Sequence, residues 1–372
     1  MNSKAQCRVA VVGGAGVWGR RYMRAYANRD DCRIVALVDT AAERRDAFAK
    51  NYGAEAVFGS VEELLAETIP DIVSIIVPVS QNPKTVIACA RAGVRIVSCE
   101  KPIAVSLEEA DEVVRVCREC STELGCSTIY WDAPHLLSTA KWISAGHIGA
   151  VTEAGLPSGI PNEVSGSGCV HFTLLRLLTG LEVQWVEGKA LPPNPDWSWP
   201  PDATDAQIDS TVHGRVGLTG NVVCHIPEPQ VPHPDAARPK PRGVIALTME
   251  NGRVWICSYQ PPIFVMGRGP LASPVFPNFL FDEPAETLVE PAVRRLVEAF
   301  KTGGPVACTG DDFRKALEIA IAMKQSAHDG HRRIELPLDD RTARIYPEHH
   351  RLRGGDAVGW DRTQYKEPPK IL

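Results

Sequence analysis

An apolar run, Arg8–Val12, leads into Gly13-Gly14-Ala15-Gly16-Val17-Trp18-Gly19, and twenty residues past Gly19 a second apolar run ends on Asp39-Thr40. Between a strand and a helix, glycines at 14, 16 and 19 have separate tasks. Gly14 makes the tight turn, Gly16 lets the backbone approach a pyrophosphate, and Gly19 packs helix on strand. Val17 and Trp18 then open a helix whose N-terminus carries the positive end of its dipole. Asp39, with Thr40 beside it, falls where a carboxylate meets the hydroxyls of an adenosine ribose. Alone the glycine motif is weak, but with its strand, helix and acidic residue it predicts dinucleotide binding. A carboxylate at that ribose repels a 2′-phosphate, so NAD is expected rather than NADP. Arg44 and Arg45 read as solvated charges at a helix start.

A second signal follows the fifth apolar run, where Cys99-Glu100-Lys101-Pro102 stands. A lysine at the carboxyl end of that strand would lie beside the nicotinamide. There a cation can hydrogen-bond a substrate hydroxyl and stabilise the alkoxide formed as hydride leaves. Tyr130, Trp131, Asp132 and His135 form a third group: aromatic faces stack on sugar rings and a carboxylate can bind two hydroxyls, although the same group could be a packing cluster. His328, His331, His349 and His350 lack a helical ligand spacing with a carboxylate partner, and Cys117-x-x-Cys120 lies in a helix; no metal site is expected.

These motifs resemble the Gfo/Idh/MocA family, the glucose–fructose oxidoreductase and inositol dehydrogenase group. The resemblance extends to about residue 338 through the glycine loop, Asp71-Ile-Val-x-Ile-Ile-x-Pro78, Glu100-Lys101-Pro102, Gly146-His-Ile-Gly149, a His before Leu174-Leu-Arg-Leu-Leu, and Ile334-Glu-Leu-Pro-Leu338. It implies that Gly14, Gly16 and Gly19 hold the pyrophosphate and Asp39 the ribose. Pro78 would belong to the loop over the cofactor, Glu100 and Lys101 to the nicotinamide side, and Lys101 and His171 to catalysis. Three positions depart from the pattern. Ser167 replaces an Asp four residues before His171, Leu174 replaces another three residues after it, and Asn82 replaces a His but can still hydrogen-bond a carboxamide or hydroxyl.

Strand-like runs at Arg8–Val12, Arg33–Val38, Ala56–Phe58, Ile72–Val77 and Arg95–Cys99 lack polar alternation, so both faces are expected to be buried. Amphipathic stretches separate them, and Ser60/Glu63 and Ser106/Glu109 read as capping boxes. Alternation of this kind predicts an α/β, doubly wound parallel sheet, the Rossmann arrangement, over residues 1–125. Hairpin signals at Thr211–Leu218/Asn221–Ile226 and Val244–Met249/Arg253–Ser258 predict a mixed α+β domain over residues 126–340, with an open, mostly antiparallel sheet. Pro227 to Pro241 reads as a surface loop, Thr287–Phe300 and Asp311–His328 as helices, and residues 341–372 as an irregular arm.

With 372 residues, 44% apolar and 23% charged, two folded domains are expected rather than a disordered chain. A net charge of −5 without a basic run argues against nucleic acid. Apolar runs are too short to span a bilayer. Eleven scattered cysteines without a preceding signal peptide suit reduced thiols in a cytoplasmic protein. The expected activity is NAD-dependent hydride transfer at a secondary alcohol or ketone of a sugar, glycoside, amino sugar or cyclitol, by a homodimer or homotetramer. Two alternatives are a redox-cycling glycoside hydrolase or lyase that returns the hydride, and a non-catalytic dinucleotide-binding regulator.

Overall fold

The computed structural model describes residues 6–126, 131–160, 169–191, 211–228, 243–257, 261–282, 289–347, 349–363 and 365–371. Short β-branched runs form β1 (Cys7–Val12), β2 (Cys32–Val38), β3 (Val57–Phe58), β4 (Ile72–Ile75), β5 (Ile96–Cys99) and β6 (Glu123–Gly125). They pair in parallel in the order β3-β2-β1-β4-β5-β6, so the chain reverses its direction of travel between β1 and β4. Crossing helices are α1 (Gly19–Ala27), α2 (Ala42–Tyr52), α3 (Val61–Glu67), α4 (Asn82–Arg91) and α5 (Leu107–Glu119). Ser106 and Glu109 form the full capping box at α5. At α3 only half of it forms: Ser60 Oγ takes the Glu63 N–H, while the Glu63 carboxylate accepts from Gly59 N.

The chain continues through α6 (Pro134–Ser144), β7 (Val151–Gly155), α7 (Cys169–Thr179), β8 (Val183–Leu191), β9 (Thr211–Leu218), β10 (Val222–Ile226) and β11 (Gly243–Met249). Then come β12 (Gly252–Cys257), β13 (Ile263–Met266), β14 (Ser273–Val275), α8 (Phe279–Asp282), α9 (Glu290–Thr302), α10 (Gly310–His328), β15 (Ile334–Glu335), α11 (His349–Arg353) and α12 (Gly355–Val358). Among the described residues β7 to β15 make a nine-stranded sheet, β14-β13-β12-β11-β7-β10-β9-β8-β15, antiparallel except for β7 with β10. Both expected hairpins are present. Gly220 and Asn221 supply positive φ in the first, and Glu250-Asn251 connects the second. Strand β12 alternates buried Val254 and Ile256 with exposed Arg253 and Trp255, which leaves one face of the sheet open there. Most of the proline-rich stretch lies outside the described residues.

Packing divides the chain into two compact units: Met1–Asp132 with Glu286–Arg314 and Glu348–Leu372, and Ala133–Ala285 with Lys315–Pro347. A linear division at 125/126 and 340/341 does not anticipate this interleaving. The reason lies in α9, whose Val293, Leu296 and Val297 join one buried cluster with Val9 and Val11 of β1 and Tyr22, Met23 and Tyr26 of α1. Each fully buried Val or Leu contributes about 1.5–3 kcal/mol relative to exposure, enough to dictate where this amphipathic helix packs. The stretch expected to be an irregular arm contains α11, α12 and a 3₁₀ turn at Trp360–Arg362, and is divided between the units: Arg341–Pro347 belongs to the second and Glu348–Leu372 to the first.

Candidate active site

The loop after β1 turns at Gly13 rather than at Gly14. Gly13 has φ +79°, donates its N–H to Val38 O at 2.8 Å, and a Cβ there would stand 2.1 Å from Ile76 O. A Cβ on Gly14 would press on the Leu37 and Met23 side chains, and one on Gly19 would lie 1.9 Å from Gly13 O, so Gly19 is the close-packing glycine the sequence predicted. Gly16 differs from these: a Cβ would meet only Gly13 O within 4 Å, at 3.3 Å. Its outer side is therefore open to an approaching group. Helix α1 begins after Trp18 with no side-chain cap and no acidic residue in its first turn, leaving the dipole end uncompensated by the chain itself. Arg21 lies over the Trp18 ring at 4.3 Å.

Asp39 closes β2 and braces this loop. One carboxylate oxygen accepts from Ala15 N and the other from Ala41 N, each at 3.0 Å. Burial raises its pKa above the ordinary carboxylate value, more than those two N–H donors and Arg44 lower it. An ionised carboxylate offers about four acceptor positions, so two remain for ribose hydroxyls. Thr40 is exposed beside it. The open side of Gly16, the uncapped helix end and the spare acceptors of Asp39 together fit a dinucleotide.

Lys101 follows β5 in a segment held on both sides. Glu100 N donates to Ile75 O of β4 at 3.0 Å, and Tyr22 of α1 donates its hydroxyl to Glu100 Oε1 at 2.8 Å. Asn82, 1% exposed, donates from Nδ2 to Glu100 O at 3.0 Å and to Pro102 O at 2.8 Å. The Lys101–Pro102 peptide is cis. The Asn82 amide is thus committed to positioning the lysine segment, while its buried Oδ1 has no hydrogen-bond partner among the described residues. Pro78 begins the neighbouring turn, its carbonyl accepting from Gln81 N at 2.8 Å. No local pattern marks Tyr22, Gly13 or the new task of Asn82, because each is defined by a group far along the chain.

In the second unit His171 lies in the first turn of α7, buried among Phe172, Leu174 and Leu175. Leu174, where the family pattern often has Asp, is a fully buried core residue. Ser167 and Tyr130 lie outside the described residues. Trp131 has a buried Nε1–H with no partner among the described residues. Asp132 is 6% exposed and lines a small cavity of the first unit with Cys126, Arg295 and Cys308. His135 is half-buried in α6. Burial raises the Cys99 and Cys126 thiols well above their ordinary value, so both are unreactive as nucleophiles. Among the described residues no group of three or more His, Cys, Asp or Glu could hold a metal ion, and no helix is long and apolar enough to cross a membrane.

Comparison with known proteins agrees with this geometry. Residues 7–126 match the family model GFO_IDH_MocA, described as an oxidoreductase family with an NAD-binding Rossmann fold. The uncharacterized oxidoreductase YrbE of Bacillus subtilis (strain 168) is 25% identical over 84% of this chain and 92% of its own. Inositol 2-dehydrogenase of Rhizobium meliloti (strain 1021) is 28% identical over 45% of this chain and 54% of its own. The WlbA dehydrogenase of Bordetella pertussis, solved with NADH and UDP-GlcNAcA, has a similar fold, with a TM-score of 0.69 and 20% identity over 90% of this chain and all of the other. Residues 7–126 are an NAD-binding Rossmann domain of the Gfo/Idh/MocA oxidoreductase family.

Proposed function

We propose that the chain is an NAD-dependent oxidoreductase that moves hydride between the dinucleotide and a secondary alcohol or ketone of a sugar, glycoside, amino sugar or cyclitol. The bracing of Lys101 carries this reading: Tyr22 and Asn82 fix the residues on either side of it at the carboxyl end of β5, as an acid–base group requires. When bound, NAD or NADH supplies the hydride acceptor or donor. Gly13 and Gly19 shape the loop, Gly16 and the start of α1 receive the pyrophosphate, and Asp39 accepts from the ribose hydroxyls. Pro78 flanks the cofactor. Lys101 Nζ donates to the substrate oxygen and stabilises its negative charge as the carbon gives up hydride, a role worth about 10²–10⁴ in rate. His171 is assigned the second proton-carrying role on the family pattern. Tyr130, Trp131, Asp132, His135 and Ser167 are assigned to the polyol.

The similarity to an inositol dehydrogenase supports the substrate class. A panel of sugars, glycosides and cyclitols with NAD, followed by nicotinamide absorbance and substrate mass together, tests it. NADH formation with loss of two hydrogens from one polyol is expected. Loss of a whole substituent without NADH would establish the redox-cycling alternative instead, and tight dinucleotide binding without turnover of any polyol would establish the regulator.

A further inference from the structure

The C-terminal arm packs on the turn after β4 and on the start of α2, the segments that follow the two strands beside β1. Ser80 Oγ, in the turn after β4, donates to Leu352 O at 2.6 Å, and a Cβ on Gly354 would stand 2.9 Å from Pro78 Cγ. In the first turn of α2, just past β2, Arg44 pairs with Asp356 at 2.5 Å and lies over the Trp360 ring at 5.7 Å. Trp360 Nε1 donates to the other Asp356 oxygen at 2.8 Å, fixing the carboxylate on the guanidinium. Since β1 lies between β2 and β4 in the sheet, an arm holding the segments that follow those two strands crosses the carboxyl end of β1. In a doubly wound sheet that is where a dinucleotide binds.

Arg44 stands five residues past Asp39, the neighbourhood from which an arginine can receive the 2′-phosphate of NADP. Here its charge is met by a carboxylate 312 residues further along the chain, and its Nε–H is buried with no partner among the described residues. We propose that the arm completes the adenosine end of the dinucleotide site, and that Asp356 is a specificity-determining residue that holds the chain to NAD by neutralising Arg44. This rests on the dinucleotide reading above. A 2′-phosphate would face two carboxylates, Asp39 and Asp356, with both neighbouring guanidinium groups already engaged, Arg44 by Asp356 and Arg45 by Asp46 and Asp39 O. Burial alone would raise the pKa of Asp356, but the Arg44 and Trp360 donors and the Arg44 charge outweigh it and leave the net shift downward, so the carboxylate is ionised at neutral pH.

The test is titration of the full chain with NAD and with NADP, by calorimetry, for the native protein, Asp356→Asn, Trp360→Phe, and Asp356→Asn combined with Arg44→Met. Asparagine keeps the acceptor for Trp360, so the arm stays docked while the charge is removed. The native chain is expected to favour NAD at least about tenfold, the factor one lost charge-assisted contact supplies. Asp356→Asn should raise the affinity for NADP relative to NAD at least about fivefold, Trp360→Phe should shift it less and in the same direction, and the gain should vanish in the double variant. Using the ratio cancels any partial loss of folded protein. A ratio unmoved by Asp356→Asn, or a gain that survives without Arg44, would overturn the role of Asp356 while leaving NAD binding intact. A native chain that binds neither dinucleotide would overturn the reading beneath it as well.

Discussion

Replacing Asn82 probes how the lysine segment is held. The side chain is 1% exposed and spends both Nδ2 hydrogens, on Glu100 O and Pro102 O, the two carbonyls that bracket Lys101. Asn82→Ala leaves two largely buried carbonyls without their donor, at about 1–3 kcal/mol each, and removes an unpartnered Oδ1 whose burial already costs about 1 kcal/mol. The net loss is about 1–5 kcal/mol of first-unit stability. Asn82→Asp keeps the shape but aims an anionic oxygen at two carbonyl oxygens, so at pH 7 it should cost more than alanine does. Protonating the new carboxyl restores one donor. Its folded pKa is therefore raised, and the stability deficit at neutral pH should shrink as pH falls through that value. Urea denaturation followed by tryptophan fluorescence at pH 7 and pH 5 reads both effects. A cost under about 0.5 kcal/mol for Asn82→Ala, or an aspartate variant more stable than the alanine one at pH 7, would refute this role of Asn82.

The glycine loop offers a contrast between two substitutions. Gly13→Ala combines φ +79° with a Cβ 2.1 Å from a backbone oxygen, so it should lower stability by more than about 3 kcal/mol in the same titration. Gly16→Ala, whose Cβ meets only one atom, should cost under about 1 kcal/mol yet weaken NAD binding at least about tenfold; equal effects of the two on folding would contradict the cradle. Asp31, held by Arg29 and by Lys301 of α9, has its pKa lowered far below the carboxylate range although burial opposes this. A depressed folded pKa gives stability that is present above about pH 4 and lost as pH falls through the folded value. Asp31→Asn should therefore cost about 1 kcal/mol at pH 7, discounted for partial exposure, and progressively less below pH 4; a pH-independent cost would show that the pair's charge contributes nothing.

The sheet was legible because parallel strands buried on both faces and capped helices write local, periodic signals: β1, β2, β5 and the Ser106–Glu109 box are where the sequence puts them. Turn chemistry was legible to within one residue. Gly13 and Gly14 are adjacent, and only the approach of Ile76 O from another strand decides which of them turns. Long-range docking was not legible. Nothing near Arg44 announces Asp356, nothing in the α9 stripe says which unit it will cover, and an asparagine in a helix carries no sign that it will hold a loop twenty residues away. The depth of Asp132 was not legible either: its residue type suits a polyol, and its place in a cavity beside Arg295 of α9 is a property of the fold.

Lys101→Met isolates the proton chemistry placed at the carboxyl end of β5. Methionine keeps the length and apolar stem of the side chain while deleting its charge and donors, and Tyr22, Glu100 and Asn82 still shape the segment. With the best polyol of the panel and saturating NAD, kcat is expected to fall at least about a hundredfold, the scale of one acid–base group, while NAD affinity changes less than about threefold and the unfolding midpoint is kept. A loss of kcat under about tenfold, in a protein still folded and still binding NAD, would contradict the assignment of Lys101 and move the proton chemistry to another residue.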